Sequence, residues 1–283
     1  MCCDVDSLLL CLFLKKNKKK VIFNLLEEHP YTLYDKIHAN SYVKKFIVYI
    51  TAKWMQLALK RVDKVYTVAP SIVDYLSKWG IRDVEILGNY PNVSKEHNLT
   101  YDEYVSREDR IIYFGAIYKI SRNSYPKVSY LLAGDFGVGN YHEQLKKHPY
   151  WKRVEFINKF HMTELSNMLS RSTISNVVRD FEETGYKTGS YGIIKLFESM
   201  EAGLPIICSD VQVYRDIFKE YPCGILVNPN STEDIRVAIN YLITNKKEAY
   251  LMGQNGRKAV IEKYNWNKES EKLISIVNKL AKS

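Results

Sequence analysis

The residues that could do chemistry lie in two places. In residues 190–210, SYGIIKLFESMEAGLPIICSD, a helix beginning near Gly192 carries Lys195 and Glu198 three apart, hence on one face; it stops at Gly203 before a strand at Pro205. A cation and a carboxylate so placed are charge and hydrogen-bonding groups for a polar ligand; taken alone they are also an ordinary solvated pair. Glu27, Glu28 and His29 lie just beyond an apolar run at 21–23, on the side where a parallel sheet binds ligands. Before Pro30 they equally make a polar turn. Five cysteines, at 2, 3, 11, 208 and 223, show no C-x-x-C pairing, so neither a zinc site nor a disulfide framework is expected. No hydrolase triad, zinc motif or P-loop is present.

Positioning such groups takes a folded scaffold. The 283 residues, 46% hydrophobic and 26% charged, suffice for one large or two ordinary α/β domains and exclude disordered and collagen-like classes. A net charge of +9 suits phosphates, nucleotides or an anionic membrane surface, and equally plain solubility. Nucleic acid is not an expected partner, because no basic stripe is interleaved with aromatic residues. The apolar segment 7–14 follows an acidic start and runs into KKNKKK; it fails as a signal peptide and is too short to span a bilayer. A reducing cytoplasm is the expected compartment.

Short apolar runs read as buried strands at 20–24, 64–67, 84–87, 110–114, 128–133, 154–157, 174–178, 205–208 and 224–227. Between them, helical patterns fall at 43–61, 70–78, 141–147, 163–170, 192–200, 214–219, 232–244, 248–264 and 267–280. This alternation predicts two doubly wound α/β domains. A polar, acidic stretch after GNYPNV places the division at 1–92, a linker at 93–109 and a second domain at 110–283, with the last helix folding back across the linker.

The string K-L-F-E-x-M-x-A-G-L-P-I-I-x-S-D at 195–210 resembles the signature of retaining glycosyltransferases of family 4, also called group 1, which have the GT-B fold. Lys195, Leu196, Phe197, Glu198, Met200, Ala202, Gly203, Pro205, Ile207, Ser209 and Asp210 match, and Glu201 stands where the family usually has Ala. Stretches 111–119, 131–137, 223–239 and 252–266 agree in order, and 4–9, 21–30, 63–76 and 86–93 agree less sharply. The resemblance implies two Rossmann-like doubly wound domains of the GT-B type. The N-terminal, acceptor-side domain is expected to be incomplete, since the family's chain begins earlier with a strand, a Gly-rich loop and a helix. A second departure is GAIYKISRNSYPK after the strand at 110–114, where the family's first helix is expected to be largely deleted.

The same resemblance assigns roles. A nucleoside diphosphate sugar is the donor, a cell-surface or lipid-linked glycan the acceptor, and no cofactor or metal is implied. Glu198 maps to the residue that binds the ribose hydroxyls, and Ser190 to the first position of the family's Glu-x7-Glu pair. Backbone N–H groups of Tyr191, Gly192, Ile193 and Ile194 are expected to face sugar or phosphate oxygens. Lys119, Arg122 and Lys195 are the candidates for stabilising charge on the leaving diphosphate. Lys159, Phe160 and His161 map to the loop near the nucleobase, and Glu27, Glu28 and His29 to the acceptor side. The competing expectation is a truncated, non-catalytic remnant or nucleotide-sugar-binding module, or half of a split enzyme. Apart from the resemblance, the helix at 43–61, which mixes five Lys and Arg with Phe46, Trp54 and Met55, reads as a core-packing helix with a basic outer face or as a peripheral contact with an anionic membrane at the inner face.

Overall fold

The computed structural model describes residues 2–3, 7–26, 34, 37–93, 99–117, 128–136, 140–181 and 188–282. The chain forms two compact units. The first is Met1–Tyr90 with Phe181–Ile193 and Trp266–Ser283; the second is Pro91–Asp180 with Ile194–Asn265. The units therefore differ from the contiguous domains expected at 1–92 and 110–283. A short segment and the last helix return to the first unit, and the stretch expected as a linker belongs to the second.

The first unit alternates β1 (Cys2–Cys3), α1 (Leu8–Lys16), β2 (Ile22–Leu25), α2 (Ser41–Leu59), β3 (Lys64–Thr67), α3 (Pro70–Lys78) and β4 (Val84–Ile86). Its four strands are parallel and lie in chain order. Register places Phe23 beside Val65 and Leu25 beside Thr67 on one face. There Phe23, Leu25 and Val65 pack with Leu8 and Cys11 of α1, Met55 and Leu59 of α2, and Ile72 and Leu76 of α3. Each such burial contributes about 1.5–3 kcal/mol. The opposite face is polar: Asn24, Tyr66 and Glu85 are register partners. Buried Lys64 bridges Asp83 and, at 2.8 Å, Glu85. The C-terminal helix, Trp266–Lys282, joins this unit by accepting the Gly88 N–H on Glu269 at 2.9 Å.

The apolar segment that fails as a targeting sequence is helical over Leu8–Lys16. Its continuous apolar run exceeds one helix face, so Leu8 and Cys11 are buried while Leu9, Leu10 and Phe13 stay exposed. Among the described residues no helix is long and apolar enough to cross a membrane.

The second unit comprises α4 (Tyr101–Ser106), β5 (Arg110–Phe114), β6 (Ser129–Ala133), α5 (Tyr141–Lys146), β7 (Val154–Ile157), α6 (Met162–Ser170), β8 (Ile174–Val177), α7 (Ile194–Glu201), β9 (Ile206–Ser209), α8 (Gln212–Glu220), β10 (Gly224–Val227), α9 (Thr232–Thr244) and α10 (Lys246–Glu262). Its parallel sheet runs β10-β9-β8-β5-β6-β7. Ile111, Ile174 and Ile207 pack on one face with Ile235, Ile239 and Leu242 of α9. Ile112, Phe114 and Leu131 pack on the other with Leu165, Met168 and Leu169 of α6. Apolar side chains on both faces are what a doubly wound sheet requires. Helix α4 starts at a capping box between Thr100 and Glu103, and its Tyr104 is fully buried with the hydroxyl donating to the Thr173 carbonyl at 3.0 Å. Residues 118–127, which include the expected deletion, lie outside the described residues.

Candidate functional site

In the second unit the chain runs outward through β5, β6 and β7 and then returns to β8 on the other side of β5. Ligands of open parallel sheets bind outside the carboxyl ends of the strands where the order reverses in this way. At that place β5 is followed by Gly115, whose φ of +92° suits glycine and whose N–H bonds the Ala133 carbonyl at 2.8 Å. A Cβ there would lie 3.2 Å from Cε of Lys195, so the glycine provides the turn and the room for the lysine stem.

Lys195 reaches this strand end from α7. Its Nζ lies 3.8 Å from the centroid of the Tyr113 ring and 3.5 Å from the Ala116 carbonyl oxygen. The side chain is half-buried. Burial, and secondarily the positive charge of Arg179, push its pKa down to about 7. A bound anion would restore the proton.

Helix α7 is fixed by its other face. Leu196, Phe197 and Met200 are fully buried, and Ser199 shares a hydrogen bond of 2.6 Å with Ser175 of β8. Gly203, at φ +69°, closes the helix, with the Gly203 and Leu204 N–H groups bonding the Met200 and Ser199 carbonyls, each at 3.1 Å. Glu198, one turn after Lys195, is half-buried. Among the described residues its carboxylate accepts no hydrogen bond, and burial followed by the nearby Glu201 raises its pKa. Glu201 itself is buried and meets Arg257 of α10, whose Nη1 donates to its carboxylate at 2.9 Å and to its carbonyl at 2.6 Å. The departure from the family's usual Ala is thus accompanied by a buried cation.

Two other matching positions are structural. Ser209 Oγ accepts the Arg179 N–H at 2.7 Å and donates to the Arg179 carbonyl at 2.6 Å, which holds the exit of β8. Asp210 accepts from Nε and Nη2 of Arg215, at 2.5 and 2.8 Å.

The other expected residues fall in both units or outside the described residues. Ser190, Tyr191, Gly192 and Ile193 belong to the first unit. There Ser190 Oγ donates to the Val68 carbonyl at 3.2 Å and accepts the Gly192 N–H at 2.9 Å, while the Tyr191 N–H bonds the Val68 carbonyl at 2.8 Å. The amides of Tyr191 and Gly192 are therefore engaged, and the helix starts at Ile194, not at Gly192. Lys159, Phe160 and His161 follow edge strand β7, two strands from β5. Phe160 packs into the core under α6, and His161 begins α6 with its N–H bonded to Glu164 at 2.6 Å. Lys119, Arg122, Glu27, Glu28 and His29 lie outside the described residues.

Sequence reasoning missed Tyr113, Arg179 and Arg257. The one signal for Tyr113 was a phenol inside the otherwise apolar run IIYF.

An uncharacterized glycosyltransferase of Methanocaldococcus jannaschii, MJ1607, is 28% identical over 86 residues, 30% of this chain and 22% of that protein; the match thus spans less than a quarter of the relative. Anabaena HepE in complex with UDP-glucose superposes with a TM-score of 0.72 at 11% identity, over 97% of this chain and 76% of that one. Sucrose-phosphate synthase from Thermosynechococcus elongatus gives 0.62 at 17% identity, over 96% and 76%. These likenesses show the fold, Rossmann-like α/β of the GT-B type. The sequence profile of glycosyl transferases group 1 matches residues 112–259, more than half of the chain and the whole run from β5 into α10, and the chain belongs to that family.

Proposed function

We propose that the chain transfers a sugar, with retention, from a nucleoside diphosphate sugar to a hydroxyl of a cell-surface or lipid-linked glycan. The observation that carries this reading is Lys195 held at the end of β5, where the strand order reverses, with Glu198 one turn along the same helix. Lys195 meets the diphosphate and stabilises the charge left on it as the sugar departs. Glu198, whose carboxylate has no hydrogen-bond donor among the described residues, accepts from the two ribose hydroxyls. The amides at the start of α7 add donors for phosphate or sugar oxygens.

The pH dependence follows from the two shifts. Donor affinity falls as pH drops and Glu198 takes up a proton, and falls again as pH rises through about 7 and Lys195 loses its own. The test is a thermal-shift panel of nucleoside diphosphates, with UDP first because Anabaena HepE binds it. One of them should raise the midpoint of wild type and leave Glu198→Ala unmoved. Equal shifts in both proteins would reduce the motif to a packing element.

Contact with an anionic membrane at the cytoplasmic face has its own support. Leu9, Leu10 and Phe13 of α1 and Phe46, Ile50 and Leu57 of α2 are exposed, beside Lys44, Lys45, Lys53 and Lys60. Flotation with anionic liposomes should carry the protein at low salt and release it at high salt; no binding at low salt ends the idea.

A further inference from the structure

Tyr113 is the penultimate residue of β5 and is 6% exposed. Its ring packs with Ile117 and Leu132, with Phe136, Trp151 and Phe156 around them. Its hydroxyl donates to the Ala116 carbonyl at 3.0 Å, across the turn made at Gly115. The ring is thus anchored by its apolar neighbours and by its hydroxyl before any other group touches it. Against this ring lies the Lys195 ammonium, also pointed at the Ala116 carbonyl.

The charges around Lys195 leave the ring an evident task. Arg179, beyond β8, repels the ammonium, and burial disfavours it. Glu198 is one turn away on α7 and forms no ion pair with it among the described residues. An aromatic face attracts a cation without accepting its protons, so donors remain for a ligand. A lysine stem is flexible, and an ammonium fixed on two sides is presented in one place.

We propose that Tyr113 is a positioning residue, its ring holding the Lys195 ammonium over the end of β5 in the orientation in which a diphosphate meets it. This rests on Lys195 being the cation that receives the donor. Removing the ring should let Lys195 lose its proton at lower pH, by roughly half a unit to one and a half units. Removing only the hydroxyl should not.

The ligand-free arm measures the pH dependence of Lys195 acetylation by peptide-resolved mass spectrometry in wild type, Tyr113→Phe and Tyr113→Leu. Phe is expected to titrate with wild type and Leu below it. If Leu disrupts folding by circular dichroism, Tyr113→Met, which fills more of the same cluster, carries the same expectation. The second arm titrates UDP-glucose, whose diphosphate diester does not itself change charge over the range used. Tyr113→Leu should bind about three- to thirtyfold more weakly at pH 8, the gap shrinking towards pH 5.5 and Tyr113→Phe restoring affinity. A Leu variant that titrates with wild type, or a Phe variant shifted as far as Leu, overturns the role of the ring. If wild type binds no nucleoside diphosphate, the donor reading fails, while the ligand-free arm still decides for or against Tyr113.

Discussion

The two sheets, of four and six strands, are built from the same strand–helix alternation and differ in strand order. In the first unit the strands follow one another in chain order and their crossover helices share one face, where Phe23, Leu25 and Val65 are covered. Right-handed crossovers that always step the same way put every helix on the same side. In the second unit the chain reverses beside β5 and helices cover both faces, and open parallel sheets bind ligands outside the strand ends where the order turns back. Lys195 of α7 reaches the end of β5 there, with Glu198 one turn along the same helix. The lesson repeats on α7 itself, where buried Glu201 has a guanidinium partner and Glu198 is left with raised pKa and no donor among the described residues. A carboxylate that the fold does not satisfy is available to a ligand.

Substitutions can break this contrast, and their expected costs in urea unfolding run from large to negligible. Phe23→Ala, under the three helices of the first unit, should cost about 3–5 kcal/mol. Arg257→Met, which strands the Glu201 carboxylate inside the second unit, should cost a similar or slightly smaller amount, about 3–4 kcal/mol. Ser199→Ala leaves the Ser175 hydroxyl without its partner and should cost about 1–2 kcal/mol. Glu198→Gln should cost nothing or stabilise slightly near neutral pH, because a carboxylate with raised pKa opposes folding when ionised. A loss as large as that of Arg257→Met would make Glu198 a structural group.

Lys195 supplies a signed test. Its folded pKa lies below the unfolded value, so the unfolded chain binds more protons and stability rises with pH above about 7. Lys195→Met should remove that rise; identical pH–stability curves would place the ammonium in ordinary solvent.

Much of this was legible in the sequence. Short apolar runs such as RIIYF and PIIC, separated by helical periods, mark the strands within a residue or two, and Gly203 marks the end of α7. The shared face of Lys195 and Glu198 follows from spacing alone. Helix α1 was hidden because 8–14 is apolar without a 3.6 period, and α4 because six polar-looking residues carry only one buried anchor, Tyr104. The Glu201–Arg257 pair joins residues 56 apart, and the return of 181–193 to the first unit depends on contacts such as the Tyr191 N–H to the Val68 carbonyl that no local pattern reports. Tyr113 read as one more strand residue, because its role depends on which face of β5 the lysine meets.

Amide hydrogen exchange with and without a saturating nucleoside diphosphate tests the location of the site most directly. Slower exchange should concentrate at 113–117, the end of β5, and at 194–198, the first turn of α7. Protection confined to the strands of the first unit, with these two segments unchanged, would contradict a donor site built on Lys195 and Glu198.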